Sequence, residues 1–365
     1  MPFPPGSKLP AIAQAIRYVR APLGFLTELQ RRHGDIFSVS FPYFGKVVYV
    51  ADPALVKAVF TGSAEQFHAG EANATVLEPA LGPNSVLTLD DAPHMQQRKL
   101  LLPPFHGERI QRYGELMREV TLREMESWPV GEPFALRRHT QRITLAVIMR
   151  AVFGVHDEER LARFEGLIET FAARVNAITA FPMLRRNLGR WSPWPRFLRA
   201  REALDEFIYE EIALRRREVE SGEGDYLDAT IKETLRARPV IVDVARKLTA
   251  PASIGGYELS AGTFVMPAIA AMHYREDLFP DPEEFRPERF LGGKPDTYVW
   301  IPFGGGVRRC IGAAFAEYEM RIVLRAILER AELSAPDPKP EKVKVRNITL
   351  APGKGTLVSL ARPLC

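Results

Sequence analysis

The segment Phe303-Gly-Gly-Gly-Val-Arg-Arg-Cys-Ile-Gly312 concentrates groups that can do chemistry. Its glycines allow a sharp turn that carries backbone N–H groups toward the sulfur of Cys310. Arg308, Arg309 and the start of a helix just beyond favour thiolate over thiol. Such a sulfur is a nucleophile or a metal ligand. A phosphate-cradling loop would carry Gly-Lys-Ser/Thr, which is missing. A thiolate held by amide hydrogen bonds also meets what a haem iron needs on its proximal side when an O–O bond is to be cleaved. Cys365 is the other cysteine, so a disulfide framework is excluded and a reducing compartment, the cytoplasm, is expected.

A second pair stands out in Glu233 and Arg236, at i and i+3 on one helix face beside an apolar stripe of Leu227, Ile231 and Leu235. Read alone it is a surface ion pair worth ~0–1 kcal/mol. Residues 185–201 hold six arginines interleaved with Trp191 and Trp194, a pattern able to dock nucleic acid or an anionic membrane surface. The net charge is only +4, from 49 Lys and Arg against 45 Asp and Glu. A solvated face with two tryptophans anchoring a loop is therefore the better reading, and no nucleic-acid partner is expected.

The elements that must position these groups are mostly helical. Among 365 residues, 46% are hydrophobic and 26% charged, the balance of a soluble globular protein. No apolar run reaches the ~18 residues of a membrane span, and Met1–Pro10 carries prolines where a signal peptide would be apolar. Ile36–Phe41 and Lys46–Val50 alternate as a hairpin. Apolar residues recur at three and four over Pro53–Phe60, Glu108–Trp128 and Thr140–Phe153, predicting helices. After Pro239, Ile254-Gly-Gly-Tyr257 predicts a tight turn, Thr263–Met266 a strand, and Val343–Leu360 a hairpin turning at Pro352-Gly353. Ala313–Leu328, apolar on almost every side, predicts a buried helix. The strands are too few for a doubly wound sheet.

With these elements in place, the glycine-rich loop resembles the haem-binding signature of the cytochrome P450 family, with Cys310 at the cysteinate position. Glu233-Thr-Leu-Arg236 is similar to that family's Glu-x-x-Arg helix, and Pro287-Glu-Arg-Phe290 to its Pro-Glu-Arg-Phe segment, in the right order. The resemblance implies a mostly α fold with small antiparallel sheets as one domain over 1–365. Its β-rich part lies mainly at 30–60, 240–270 and 340–362, and its helical part at 90–237 and 310–330. It implies haem b as cofactor and Cys310 as thiolate ligand of the iron. His94 and Arg98, spaced by four, with Arg246 and Arg308, would face the propionates; Phe303, Gly304 and Gly312 would complete the cofactor loop. Glu233, Arg236 and Arg289 would form a buried triad that pins the loop, rather than the surface pair of the local reading.

The activity so implied is oxidoreductase chemistry. One atom of dioxygen enters an apolar small molecule, with electrons from a separate ferredoxin and NAD(P)H-dependent reductase, since no flavin or nicotinamide fingerprint is present. A basic surface near Arg308, Arg309 and Lys99 would attract an acidic ferredoxin. The rival expectation is a haem-thiolate protein that binds ligands without turnover. One departure is marked. Between about 217 and 225 the family's long central distal helix is missing, and with it the acid–threonine motif that relays protons. Glu169-Thr170 falls too early in the chain to replace it. Either the polypeptide lacks the helix, which leaves peroxide-driven oxidation, or the sequence joins two stretches of a longer one. Exposure of haem and of apolar surface to water favours the joined reading.

Overall fold

Four consecutive apolar residues, Val47 to Val50, demand a strand buried on both faces, because successive side chains of a strand point to opposite sides. The computed structural model describes residues 3–42, 44–102, 105, 108–151, 163–164, 166–168, 170–171, 192–201, 225–291, 293, 295–337, 339, 341–346 and 348–363. Residues 185–191 of the arginine-rich segment, Glu169, Cys365, the rest of the stretch 172–191 and the junction at 217–224 lie outside them. The described contacts gather into two compact units. The first is Met1–Leu101, Asp225–Ala313 and Val343–Ala351; the second is Leu102–Gly224, Ala314–Lys342 and Pro352–Cys365.

In the first unit, helices α1 (Ala11–Arg20) and α2 (Pro22–His33) precede β1 (Ile36–Phe41) and β2 (Gly45–Val50), which pair antiparallel with Ile36 opposite Val50. Val47 and Tyr49 pack with Phe25, Leu26 and Leu29 of α2, while Val48 and Val50 pack on the other face with Val56, Val59 and Phe60 of α3 (Pro53–Thr61). The chain then forms β3 (Phe67–His68), α4 (Ala69–Leu81) and α5 (Asp91–Leu101). Strands β5 (Arg246–Leu248) and β8 (Phe264–Pro267) complete a five-stranded sheet ordered β1-β2-β8-β5-β3, in which β8 runs parallel to β2. Between them β6 (Ala252–Ile254) and β7 (Tyr257–Leu259) turn at Gly255 and Gly256, both at positive φ as a two-residue hairpin turn requires.

In the second unit, α6 (Glu108–Met125) packs on α7 (Leu136–Ala151), and their Tyr113, Met117, Val120, Ile143 and Val147 share a core with Phe315, Tyr318 and Val323 of α10 (Ala313–Arg330). Helix α10 is buried on one face rather than all round: Ala313, Phe315, Tyr318, Val323, Ala326 and Ile327 are buried, whereas Leu328 is 63% exposed. Glu317, Arg321 and Arg325, half-buried, share the side of exposed Ala314 and Leu328. A three-stranded sheet is ordered β4 (Pro133–Ala135), β12 (Leu357–Pro363), β9 (Ala331–Ser334). This corrects the predicted Val343–Leu360 hairpin. The hairpin is β10 (Val343–Arg346) with β11 (Thr349–Pro352) in the first unit, and Leu357 pairs instead with Ala135. Positive φ at Gly355 and Thr356 breaks the strand between them.

Back in the first unit, α8 (Asp225–Ala237) buries Glu233 and Arg236 completely. Arg236 donates from Nε and Nη2 to the two carboxylate oxygens of Glu233 at 2.7 and 2.9 Å, and to the carbonyls of His273 and Pro282 at 2.8 and 2.9 Å. Glu233 also accepts from Arg289 Nε at 3.2 Å and the Arg286 amide at 2.8 Å. Breaking such a set by removing one partner costs ~3–5 kcal/mol. His273 closes α9 (Ile269–His273), fully buried. Its Nε2 accepts the Ile301 N–H at 3.0 Å and its Nδ1 lies 3.3 Å from the Arg236 carbonyl, a combination only the neutral Nδ1–H tautomer makes.

Burial pushes the pKa of His273 down to about 3, with the Arg236 charge adding to the shift and its bond to the Arg236 carbonyl opposing it. The unfolded chain takes up that proton near pH 6.5 and the folded one only near pH 3, so folding stability falls as pH drops between them, by ~1.4 kcal/mol per pH unit. In urea unfolding, the stability difference between wild type and His273→Gln is expected to shrink by ~2 kcal/mol from pH 7 to pH 5. An unchanged difference would show that His273 is protonated in the fold.

Candidate functional site

The loop that carries Cys310 is shaped by what lies under it. Gly306 has a positive φ, and a Cβ there would stand 1.9 Å from the Phe60 carbonyl oxygen, so α3 and the loop approach as closely as backbone permits. Gly304, also at positive φ, donates its N–H at 3.0 Å to the carbonyl of Ile301, the residue whose own amide is held by His273. The Cys310 amide donates to the Phe303 carbonyl at 2.9 Å and closes the turn. Cys310 itself is exposed, three residues before α10 begins. The Phe303 ring, half-buried, lies 5.9 Å from the Arg309 guanidinium. Gly312 follows at the entry to α10, half-buried.

Four further groups singled out in the sequence fall in this same unit. Arg98, on α5, donates from Nη2 to the Arg309 carbonyl at 2.8 Å. One turn earlier His94 is 3% exposed. Arg246 leaves the sheet from β5 buried, its guanidinium 5.5 Å from the centre of the Phe60 ring, and hydrogen-bonds the neighbouring Ala245 carbonyl at 2.9 Å. Arg308 turns inward and binds the carbonyls of Val86 and Leu89 and the carboxylate of Asp90. Arg308 therefore does not belong to the predicted exposed basic surface, where Arg309 and Lys99 remain; Asp90 draws it below. Asp90 is already engaged, accepting the amides of Ala69, Gly70 and Glu71 at 2.7–3.0 Å and so capping α4.

These positive groups repel one another in a dry place. Burial first, then Arg308 and Arg98, hold His94 down at about 4, opposed by Asp90. Burial, then the charge of Arg308, lower Arg246 to about 10, and burial lowers Arg98 and Arg308. Among the described residues Arg246 makes no ion pair, and only Asp90, with a smaller contribution from Asp91, offsets Arg308. Three guanidiniums and a neutral imidazole in this setting suit a ligand bearing two carboxylates, presented beside an exposed sulfur. Propionates of haem answer to that description, and the residues present fit the group. Sequence reasoning missed Asp90, Phe60 and His273. Asp90 makes its contacts with residues remote in sequence, and His273 sits in an apolar run with no spacing to mark it.

Comparison with known proteins bears on the family. The cytochrome P450 family model matches residues 3–225 and 223–358. A protein of Mycobacterium tuberculosis named cytochrome P450 135B1 is 34% identical over 432 aligned positions, covering 98% of this chain and 91% of that one. Cytochrome P450 138 of Mycobacterium bovis is 31% identical over 429, covering 99% and 96%. Both alignments are longer than the 365 residues of this chain, and the two family matches meet at 223–225, so the relatives carry a block that this chain lacks there. Among solved structures, CYP175A1 from Thermus thermophilus superposes with a TM-score of 0.77 at 24% identity over 98% of this chain and 99% of that one. Retinoic acid-bound cyanobacterial CYP120A1 does so with 0.80 at 20% identity over the whole of both. The fold, the matched pattern on both sides of the junction and the identity across nearly the whole chain give one conclusion: this chain belongs to the cytochrome P450 family of haem-thiolate monooxygenases.

Proposed function

We propose that the chain inserts one atom of dioxygen into an apolar organic substrate at haem b held by Cys310, in the cytoplasm, with electrons from a separate ferredoxin and NAD(P)H-dependent reductase. The observation that carries the assignment of the site is the under-neutralised cation set of Arg98, Arg246 and Arg308 around His94, on the same unit as the cysteine loop. Bound there, haem supplies the iron centre at which dioxygen is reduced with two electrons and two protons. Cys310 provides the anionic sulfur that donates electron density to that iron. Arg98, Arg246 and Arg308 bind the propionates. His94, neutral above about pH 4, donates one ring N–H without adding to the repulsion among the guanidiniums. Phe303, Gly304 and Gly312 hold the loop backbone, and Glu233, Arg236 and Arg289 hold the segment behind it.

The reduced, carbon monoxide-bound protein is expected to show a strongly red-shifted absorbance band that Cys310→Ala loses. Its persistence in the variant would remove Cys310 as ligand. Arg246→Gln is expected to keep the band and to weaken haem retention about tenfold or more, measured by transfer of haem to a scavenger protein. Reduction by an acidic ferredoxin is expected to slow as ionic strength rises, and to slow further in Lys99→Glu with the band unchanged. A rate indifferent to salt would rule out this docking.

The block missing at 223–225 favours a second reading. A polypeptide of intact mass 41.0 kDa lacks the usual acid–threonine proton relay, and product formed with peroxide but not with reductase, ferredoxin and NAD(P)H would then be expected. A larger intact mass returns the reading to dioxygen.

A further inference from the structure

Helix α1 faces the opposite way from an ordinary helix of a globular protein. Ile12, Ile16 and Val19 recur at i, i+4 and i+7, and Leu9 extends the stripe one turn earlier, the spacing that normally turns toward a core. Here they are 66%, 46%, 59% and 42% exposed, while Gln14 is 1% exposed. The helix is not free to roll over and hide them. Gln14 donates to the carbonyls of Ser7 and Leu9 at 3.3 and 2.7 Å and accepts the Ser40 amide at 3.0 Å. Tyr18 donates to the buried carboxylate of Asp243 at 2.8 Å. Rotating the stripe inward would strand all of these buried polar groups.

The surroundings say what covers the stripe. The first acidic residue of the chain is Glu28; before it stand Lys8, Arg17 and Arg20. Arg17 is paired with Glu28 at 2.5 Å, whereas Lys8 and Arg20 are exposed. Hairpin β10–β11 packs against α1 and adds exposed Lys344, Arg346 and Ile348, and no acidic residue follows Glu341 to the end of the chain. A second copy docked on this face about a two-fold axis would bring these cations together with few acids to pair them. An anionic bilayer satisfies both demands at once, taking the apolar stripe among its acyl chains and the cations at its headgroups. We infer that α1, with the β10–β11 hairpin, is an interfacial element that docks this protein reversibly on anionic membrane lipid, with the helix axis in the plane of the surface.

Flotation of the purified full chain with vesicles tests this. Binding is expected to vesicles of phosphatidylcholine with phosphatidylglycerol and not to pure phosphatidylcholine, and to weaken as salt rises. Ile12→Gln with Ile16→Gln, and separately Lys8→Gln with Arg20→Gln, should each lower the bound fraction on the order of tenfold or more. Both changes lie at exposed positions, so far-UV circular dichroism and melting temperature should match wild type. Failure to float with anionic vesicles, equal binding by either variant, or a dimer in sedimentation that dissolves in the isoleucine variant would overturn the inference.

Discussion

A sulfur that binds a metal has to be reachable, and Cys310 is exposed, so whatever holds it still must lie behind it. That support begins at Glu233 and Arg236, both out of contact with water. Arg236 ties α8 to the carbonyls of His273, Pro282 and Glu284, and Glu233 takes the amide of Arg286 and the guanidinium of Arg289. His273 then hands the restraint on to Ile301, the residue whose carbonyl receives the Gly304 amide. An apolar filling of the same volume would stabilise the fold as well, because desolvating two charges offsets most of their attraction. What it would not supply is direction. The guanidinium fork and the imidazole each accept one arrangement of partners, and they place the loop at one register.

The cations ahead of the loop are arranged by the same logic of burial, with an opposite outcome. Asp90 is fixed at the start of α4 by three amides, and it turns Arg308 inward. The remaining guanidiniums are left with less negative charge than they need, and His94, held down first by burial and then by those cations, stays neutral. A site of this kind is stabilised by its ligand, because a dianionic partner binds the folded chain and has nothing comparable to bind in the unfolded one.

Local chemistry was legible where one segment carries it all. Cys310, its glycines and its arginines lie within a single loop, and the tight turn at Gly255-Gly256 and the β1–β2 hairpin are likewise local. Burial was not legible locally. Glu233 and Arg236 read alone as a surface pair, since spacing of i and i+3 is the same on either face of a helix. His273 carries no signal because its two partners, Arg236 and Ile301, are remote in sequence. The C-terminal hairpin was misplaced because Pro352-Gly353 is a sound turn signal, whereas the strand partner of Leu357 lies more than two hundred residues away at Ala135. The direction of α1 could not be read from its period, which marks a stripe and not what the stripe faces.

The buried histidines of the first unit and the buried Glu319 of the second push stability in opposite directions with pH. In the first unit, His273 and His94 are held neutral well below the ordinary range of histidine, so acid favours the unfolded chain. In the second, Glu319 on α10 is 8% exposed and one of its carboxyl oxygens meets no hydrogen-bond partner among the described residues; burial pushes its pKa up to about 8. The unfolded chain ionises that group near 4.5, so stability is lost as pH rises from there through 8. The unit that carries the cysteine is thus weakened by these groups in acid and the other toward mild alkali. Each unit keeps these groups uncharged chiefly for the same reason: burial in a dry environment penalises the charged form, and at His94 the neighbouring arginines add to that penalty more than Asp90 offsets it.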